Sequence, residues 1–412
     1  MKLLLKQSLL ITLLMFIMIW VLSSFPLHFE YFNPIQNAFK DFDITDMVFS
    51  KIRKNPKYDD RIVVVNIGKL NRGEIGQLLE KIAEHQPKII GIDAFFRNLK
   101  GNAGDTILHN SLQKCKNVVF VSELKDFNEK KGCYDVLNVS HPFFTKNFQN
   151  GFANLTTTGE ENMAALVTCR SFLPQAQVNK KTELAFGVKI AELYDKNKTK
   201  KFLNRKNVSE YINYNGNIDV AQKSVGAKET VFTSLDFTDV FDDNFKPEVF
   251  KDKIVLLGFM GNSLKENSFE DKFYTPLNEN YVGKSTPDMY GIVIHANIIS
   301  MILNQNFIDE MNDYINIGLA IVFGFLSVLL FSFFFKNLGF WFDSATLIMQ
   351  FLFAILLFTI NVVAFHQFNL RININLALAC AVLSGLMVEF YFGLFVKLYE
   401  KMKRKPEKEY IQ

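Results

Sequence analysis

Four long apolar segments constrain this chain more than any other feature. They are Gln7–Phe25, Ile315–Phe335, Ala345–Phe365 and Ile374–Val396, and Glu389 in the last is their only charged residue. A helix needs about 20 mostly apolar residues to cross a hydrocarbon core of about 30 Å. Helices on the surface of soluble domains carry a polar face and rarely stay uncharged that long. All four segments are therefore expected to be transmembrane helices. They divide the chain into a cytoplasmic start with the first span (1–25), an outer domain (26–314), three further spans (315–396) and a basic tail (397–412).

Lysine and arginine in the short flanks set the orientation. Lys2 and Lys6 precede the first span, and Lys397, Lys401, Lys403, Arg404, Lys405 and Lys408 follow the last. Four spans put both termini on one side, so both are expected in the cytoplasm and 26–314 outside. The basic start and apolar run also fit a cleaved signal peptide, but the run is long and no A-x-A site follows, which favours an uncleaved anchor.

The net charge of +4 comes partly from the tail. A basic tail beside a span is explained by topology and anionic lipid rather than nucleic acid, which would need a basic stripe on a folded domain. The bilayer is thus an expected partner and nucleic acid is not. Cys115, Cys133 and Cys169 lie in the outer domain and Cys380 in a span. Three is not a disulfide framework: Cys115 and Cys133 either pair or stay free and buried. No C-x-x-C or His-rich cluster points to a metal, and no sequence feature points to a cofactor.

The outer domain reads as α/β. Arg61–Ile67 and Ile254–Leu257 are apolar without alternation, as in central strands of a parallel sheet. Between Arg61–Ile67 and a further strand, Lys88–Asp93, lies a helix. Asn71 and Glu74 have capping-box spacing at its start, Ile75, Leu78, Leu79, Ile82 and Ala83 form its apolar stripe, and Pro87 stops it. Strand, helix and strand make a right-handed βαβ unit. A helix at Asp105–Lys114 and a strand at Asn117–Ser122 extend it. Further on, the reading is a helix around Ile35–Ser50 and strands at Gly151–Leu155, Ala165–Leu173, Tyr211–Tyr214 and Val231–Leu235. Thr182–Tyr194 reads as a helix, Asp195–Lys206 as a lysine-rich surface loop and Gly291–Asn304 as the last helix.

Several motifs then occur in a familiar order. They are Arg61–Ile67, Ile89-Ile90-Gly91-Ile92-Asp93-Ala94-Phe95-Phe96, Gly151-Phe152-Ala153-Asn154 and Arg170-Ser171-Phe172-Leu173-Pro174. Phe250-Lys251-Asp252-Lys253-Ile254-Val255-Leu256-Leu257-Gly258, Asp271, Thr275-Pro276 and Gly291-Ile292-Val293-Ile294-His295-Ala296-Asn297 follow. Together they resemble the type-two CHASE domain, an extracellular sensory domain of bacterial histidine kinases and cyclases. The resemblance implies one span, the sensory domain, three spans and a cytoplasmic output domain, in the bacterial inner membrane with the domain in the periplasm. Two departures stand out. The family's acidic first-strand end and aromatic turn are replaced by Asn66-Ile67-Gly68-Lys69. Only Leu398–Gln412 follows the last span, too short for an output domain, so a separate signalling or envelope protein is the expected partner.

Open α/β sheets bind ligands at the carboxyl ends of their strands. Asn66, Asp93 and the Gly258–Asn262 turn end expected strands, so Asn66, Asp93, Gly258 and Asn262 are candidates for a small-molecule crevice. Asp93 reads equally as a simple loop or helix cap. Asp271 and His295 join these candidates, although His295, on the buried face of the last helix, is expected to be a satisfied core histidine unless Asp93 or Asp271 lies beside it. Asn361 and Glu389 are candidate contacts to a membrane partner, Asn361 by hydrogen-bonding between helices; the other reading of Glu389 is that it reaches the cytoplasmic interface. Gly258-Phe259-Met260-Gly261-Asn262 lacks the phosphate-loop pattern, and no G-x-S-x-G elbow occurs, so no enzyme activity is expected. Two functions follow: a membrane-anchored sensory input protein, or a non-sensing structural subunit of an envelope complex.

Overall fold

The computed structural model describes residues 2–24, 43–53, 57–156, 168–218, 230–266, 268–278 and 286–396. They fall into two compact units, Phe39–Ile308 and the two chain ends Met1–Ala38 with Asp309–Gln412.

The first unit is a mixed α/β domain with a mostly parallel sheet. Its strands are β1 (Ile62–Asn66), β2 (Ile89–Asp93), β3 (Val118–Asn128), β4 (Cys133–Asn138), β5 (Gln149–Phe152), β6 (Gln175–Val178), β7 (Lys181–Leu184), β8 (Thr233–Asp236) and β9 (Ile254–Gly258). The order is β8-β1-β9-β2-β3-β4-β6-β7, with β5 also on β3. The pairings β8–β1, β1–β9, β9–β2, β2–β3 and β3–β5 are all parallel. Every residue of β1 and β9 is buried, as their unbroken apolar sequence requires.

Helices cover both faces. On one side α1 (Arg72–Glu84) and α2 (Ala103–Gln113) pack their apolar stripes on Val63, Val65, Ile90, Ile92, Val255 and Leu257. The Asn71–Glu74 capping box closes the start of α1 as its sequence specifies. On the other side lie α3 (Phe186–Tyr194), α4 (Lys196–Leu203) and α5 (Gly291–Asn304). Residues 291–303 of α5 are buried all round rather than on one face. Asn297 explains how a fully covered helix tolerates an amide. Its Oδ1 accepts from the Asn215 and Gly216 amides at 2.8 and 3.2 Å, and its Nδ2 donates to the Gly216 carbonyl at 2.9 Å.

Several elements differ from the sequence reading. Thr182–Leu184 is not helical: it belongs to β7, which pairs antiparallel with β6 across Asn179-Lys180, both at positive φ. That two-residue turn matches the twist of a hairpin, so long-range pairing overrides the helical pattern. Asp195–Lys206 is not a loop: α4 occupies it, capped by Asp195 and seated through buried Thr199 and Phe202. Strand β3 runs on past Ser122 to hairpin with β4, while the strand near Tyr214 shrinks to Glu210–Tyr211. The helix expected at Ile35–Ser50 lies largely outside the described residues; its described end is helical to Ile52. Residues 165–167 of another expected strand also lie outside, and Ser171–Phe172 is extended. All four cysteines are free, with Cys115 in the core.

The second unit is helical. Three stretches are long and apolar enough to cross a membrane: Lys2–Ser24, Asp313–Phe368 and Asn375–Phe395. The second is interrupted at Gly339, whose φ of 50° opens a short turn between helices Asp313–Leu338 and Phe342–Phe368. The Phe331 and Phe353 rings lie 6.0 Å apart, whereas one straight helix rising about 1.5 Å per residue would hold them about 33 Å apart. The two helices therefore fold back on each other. Small residues such as Ala320, Gly324, Ser327, Ala377, Ala381 and Ser384 face the bundle interior, the pattern that lets helices in lipid approach closely.

Candidate functional site

The parallel register sets Asn66, Gly258 and Asp93 side by side at the carboxyl ends of β1, β9 and β2. All three lie on the sheet face that carries α3 and α5, since side chains alternate and Val63, Val65, Ile90 and Ile92 take the other face. Gly258 is there for packing. A Cβ on it would meet Ile292 Cβ of α5 at 2.8 Å.

Asn66 is fully occupied. Its Nδ2 donates to Asp236 Oδ1 at 2.8 Å and to the Gly261 carbonyl at 3.1 Å, and its Oδ1 accepts from the Gly68 and Met260 amides. Asp236 Oδ2 in turn accepts from Ser263 Oγ and the Leu264 amide, each at 2.8 Å. The amide thereby ties β1, β8 and the loop after β9 into one closed network. Asn262 stands apart: it is exposed, and its Nδ2 donates to Glu266 at 3.3 Å.

Asp93 is half-buried. Burial first, and the neighbouring Asp271 carboxylate second, push its carboxyl up to about 7. Asp271 is exposed at the rim with φ 59°. Although the residue is open at the rim, the protein around its carboxyl removes part of its water, and with Glu270 beside it this pushes it up to about 6. Its carbonyl accepts from the Gly291 amide at 3.1 Å, and a Cβ on Gly291 would lie 3.6 Å from Asp271 Oδ2. The absent side chain at Gly291 thus leaves room for the carboxylate beside the start of α5, where the helix dipole favours negative charge.

His295 lies four residues on, on the same helix face, and side chains on a helix lean toward its N-terminus. Its ring meets Phe186 edge-on at 5.2 Å between centroids. Phe186 itself lies against Gly91, where a Cβ would meet its Cζ at 2.9 Å. The imidazole is 3 % exposed and its Nδ1 has no hydrogen-bond partner, contrary to the expectation of a satisfied core histidine. Burial holds it down to about 4, so it stays neutral at ordinary pH.

Two carboxylates sharing one edge are therefore more readily protonated than isolated ones, and a buried unpaired nitrogen lies one helical turn below. Desolvated carboxylates gain most from a cationic group that they can pair with. Among the described residues no group of three or more His, Cys, Asp or Glu could hold a metal ion.

In the helical unit, Asn361 is buried and its Oδ1 accepts from the Ile372 amide at 3.4 Å. Glu389 is exposed on the outside of the bundle.

Three residues that organise this region escaped sequence reasoning. Asp236 had a local signal, its capping-box spacing to Asp239. Asp288 had none: it accepts from the Thr275 amide and hydroxyl at 2.8 and 2.5 Å, thirteen positions away, and burial pushes it up to about 6. Asn297 lay within a quoted motif without being assigned its part.

A mixed α/β domain with a mostly parallel sheet, flanked by candidate membrane helices, is the class of protein that this fold defines. The chain belongs to the CHASE2 family: the CHASE2 domain model matches residues 12–332, most of its length. No curated protein and no solved structure matches it.

Proposed function

We propose that the chain is a signal-input protein of the bacterial inner membrane. It crosses four times, holds its CHASE2 domain in the periplasm and both termini in the cytoplasm, and passes a binding event to a separate protein partner. Basic residues at both chain ends and the break at Gly339 support this topology. The observation that carries the sensory reading is the Asp93–Asp271 edge against the start of α5, with the unpartnered His295 Nδ1 behind it. The protein acts by binding, without catalysis, and the ligand class that suits the edge is an organic cation. Binding is transmitted only if the ligand prefers one of two arrangements of the domain.

Native Cys133, the one cysteine that is not buried, gives a direct test of topology. In spheroplasts a membrane-impermeant maleimide should label Cys133, and should reach a Gln412→Cys tail thiol only after permeabilisation. The opposite pattern overturns the orientation.

A structural-subunit reading is favoured by one observation. Asn66, at the position where the family resemblance implies an acidic strand end, is consumed by internal hydrogen bonds. Affinity purification from detergent separates the two: stoichiometric recovery with structural envelope proteins, and no signalling partner, selects the scaffold.

A further inference from the structure

We propose that Asn197 is an acceptor for N-linked glycosylation, modified before the domain folds. The inference rests on the reading that the CHASE2 domain lies outside the cytoplasm; it is independent of the ligand edge.

An asparagine followed by any residue except proline, and then by serine or threonine, is the acceptor pattern for N-glycosylation. The pattern occurs in the domain at Asn138, Asn154, Asn197 and Asn207. Three of these carboxamides are engaged. Asn138 Nδ2 donates to Glu123 at 3.3 Å, and Asn207 Nδ2 donates to Glu210 at 3.0 Å. Asn154 accepts from the Leu124 amide at 2.7 Å and donates to the Leu124 carbonyl at 3.1 Å. Asn197 is exposed, and its carboxamide makes no hydrogen bond among the described residues. It alone of the four has an acid two residues before it, Asp195, where the others have Val136, Phe152 and Arg205. That acid gives an enzyme a charge to hold as well as a hydroxyl.

The spacing has a geometric meaning. Alternate side chains of an extended chain lie on one face, so Asp195, Asn197 and Thr199 stand together while the segment is unfolded. An enzyme can then hold the Asn197 amide between a carboxylate and a hydroxyl. Folding into α4 disperses the three: at about 100° per residue, Asn197 and Thr199 point about 160° apart. Asp195 becomes the helix cap, accepting from the Lys198 amide at 3.0 Å. Thr199 is buried, and its hydroxyl donates to the Asp195 carbonyl at 3.1 Å. The folded helix thus hides the groups that mark the acceptor and leaves Asn197 itself in solvent. A glycan added earlier needs no room inside the domain, whereas later addition requires α4 to open.

The donor class is an oligosaccharide joined through its C1 to a polyprenyl pyrophosphate. Asn197 Nδ2 forms the bond to C1. The C1–O bond breaks, its electron pair leaves on the pyrophosphate, and one amide proton passes to a base of the transferase.

The test is expression of the full-length protein in bacteria supplied with a bacterial oligosaccharyltransferase and its lipid-linked oligosaccharide, read by mass spectrometry of the Asn197 peptide. A glycan is expected on Asn197 and not on Asn138, Asn154 or Asn207. It should vanish in Asn197→Gln and fall by about tenfold or more in Asp195→Asn, which keeps a capping oxygen but loses the charge. Protein purified folded and unmodified should accept the glycan in vitro about tenfold or more slowly than a peptide of residues 193–201, because only the opened helix presents the acceptor. An unmodified Asn197 in the wild type overturns the proposal. Labelling of Cys133 by an impermeant maleimide in spheroplasts of the same cells then shows whether the topology or the acceptor itself failed. Equal rates for folded protein and peptide, or an Asp195→Asn variant modified as fully as the wild type, overturn it as well.

Discussion

The Asn66 carboxamide donates to the Asp236 carboxylate at 2.8 Å across the carboxyl ends of two parallel strands. Both residues are buried, and the Asn66 amide spends both its N–H groups and its oxygen inside this network. In the proposed function, the candidate ligand edge is therefore Asp93, Asp271 and the start of α5 rather than Asn66.

Asn66→Asp replaces this donor with a second acceptor. Two buried carboxylates in contact cannot both ionise without cost, so the variant should lose about 2–4 kcal/mol of stability at pH 7. The penalty belongs to the ionised pair, so it should shrink as pH falls toward 4. Thermal unfolding across that range checks it, and adding Asp236→Asn should recover part of the loss.

Asp93 gives a pH signature of its own. Its folded-state pKa of about 7 lies above the ordinary carboxylate value. The stability it contributes is full below about 4 and is lost as pH rises toward 7. Asp271 and Asp288, each near 6, act in the same direction over a narrower window. His295, held near 4, acts oppositely: its contribution is present above about 6.5 and is lost as pH falls toward 4. Asp93→Asn should therefore gain on the wild type from pH 4 to 7 and hold a constant advantage above, of about 1–3 kcal/mol. Denaturant unfolding monitored on the domain at several pH values would measure it.

Asn297 should be among the least replaceable residues of α5. Asn297→Leu leaves the Asn215 and Gly216 amides and the Gly216 carbonyl without their partner. A cost of about 2–5 kcal/mol is expected. Hydrogen exchange should report faster exchange at those two amides first.

Legibility in the sequence followed the range of the forces involved. Strands β1, β2 and β9 and helix α5 were visible because full burial leaves unbroken apolar runs. Helix α1 carried its own capping box and stripe. The β6–β7 hairpin and α4 were not visible, because pairing partners and a seat for Phe202 are supplied by distant segments. At the edge, Asp93 was legible as a strand-end carboxylate and His295 as a buried histidine of the last helix, but the unpartnered state of its Nδ1 was not. That Asn66 is spent on Asp236, 170 positions away, was not.

The most direct test of the central claim is thermal stability of the full-length protein in nanodiscs at pH 7 against a panel of organic cations: ethanolamine, choline, putrescine and spermidine. At least one should raise the unfolding temperature of the wild type, and Asp93→Asn with Asp271→Asn should abolish that rise. No shift with any of the four, or a shift that persists undiminished in the double variant, would contradict a cation-binding edge in this CHASE2 domain.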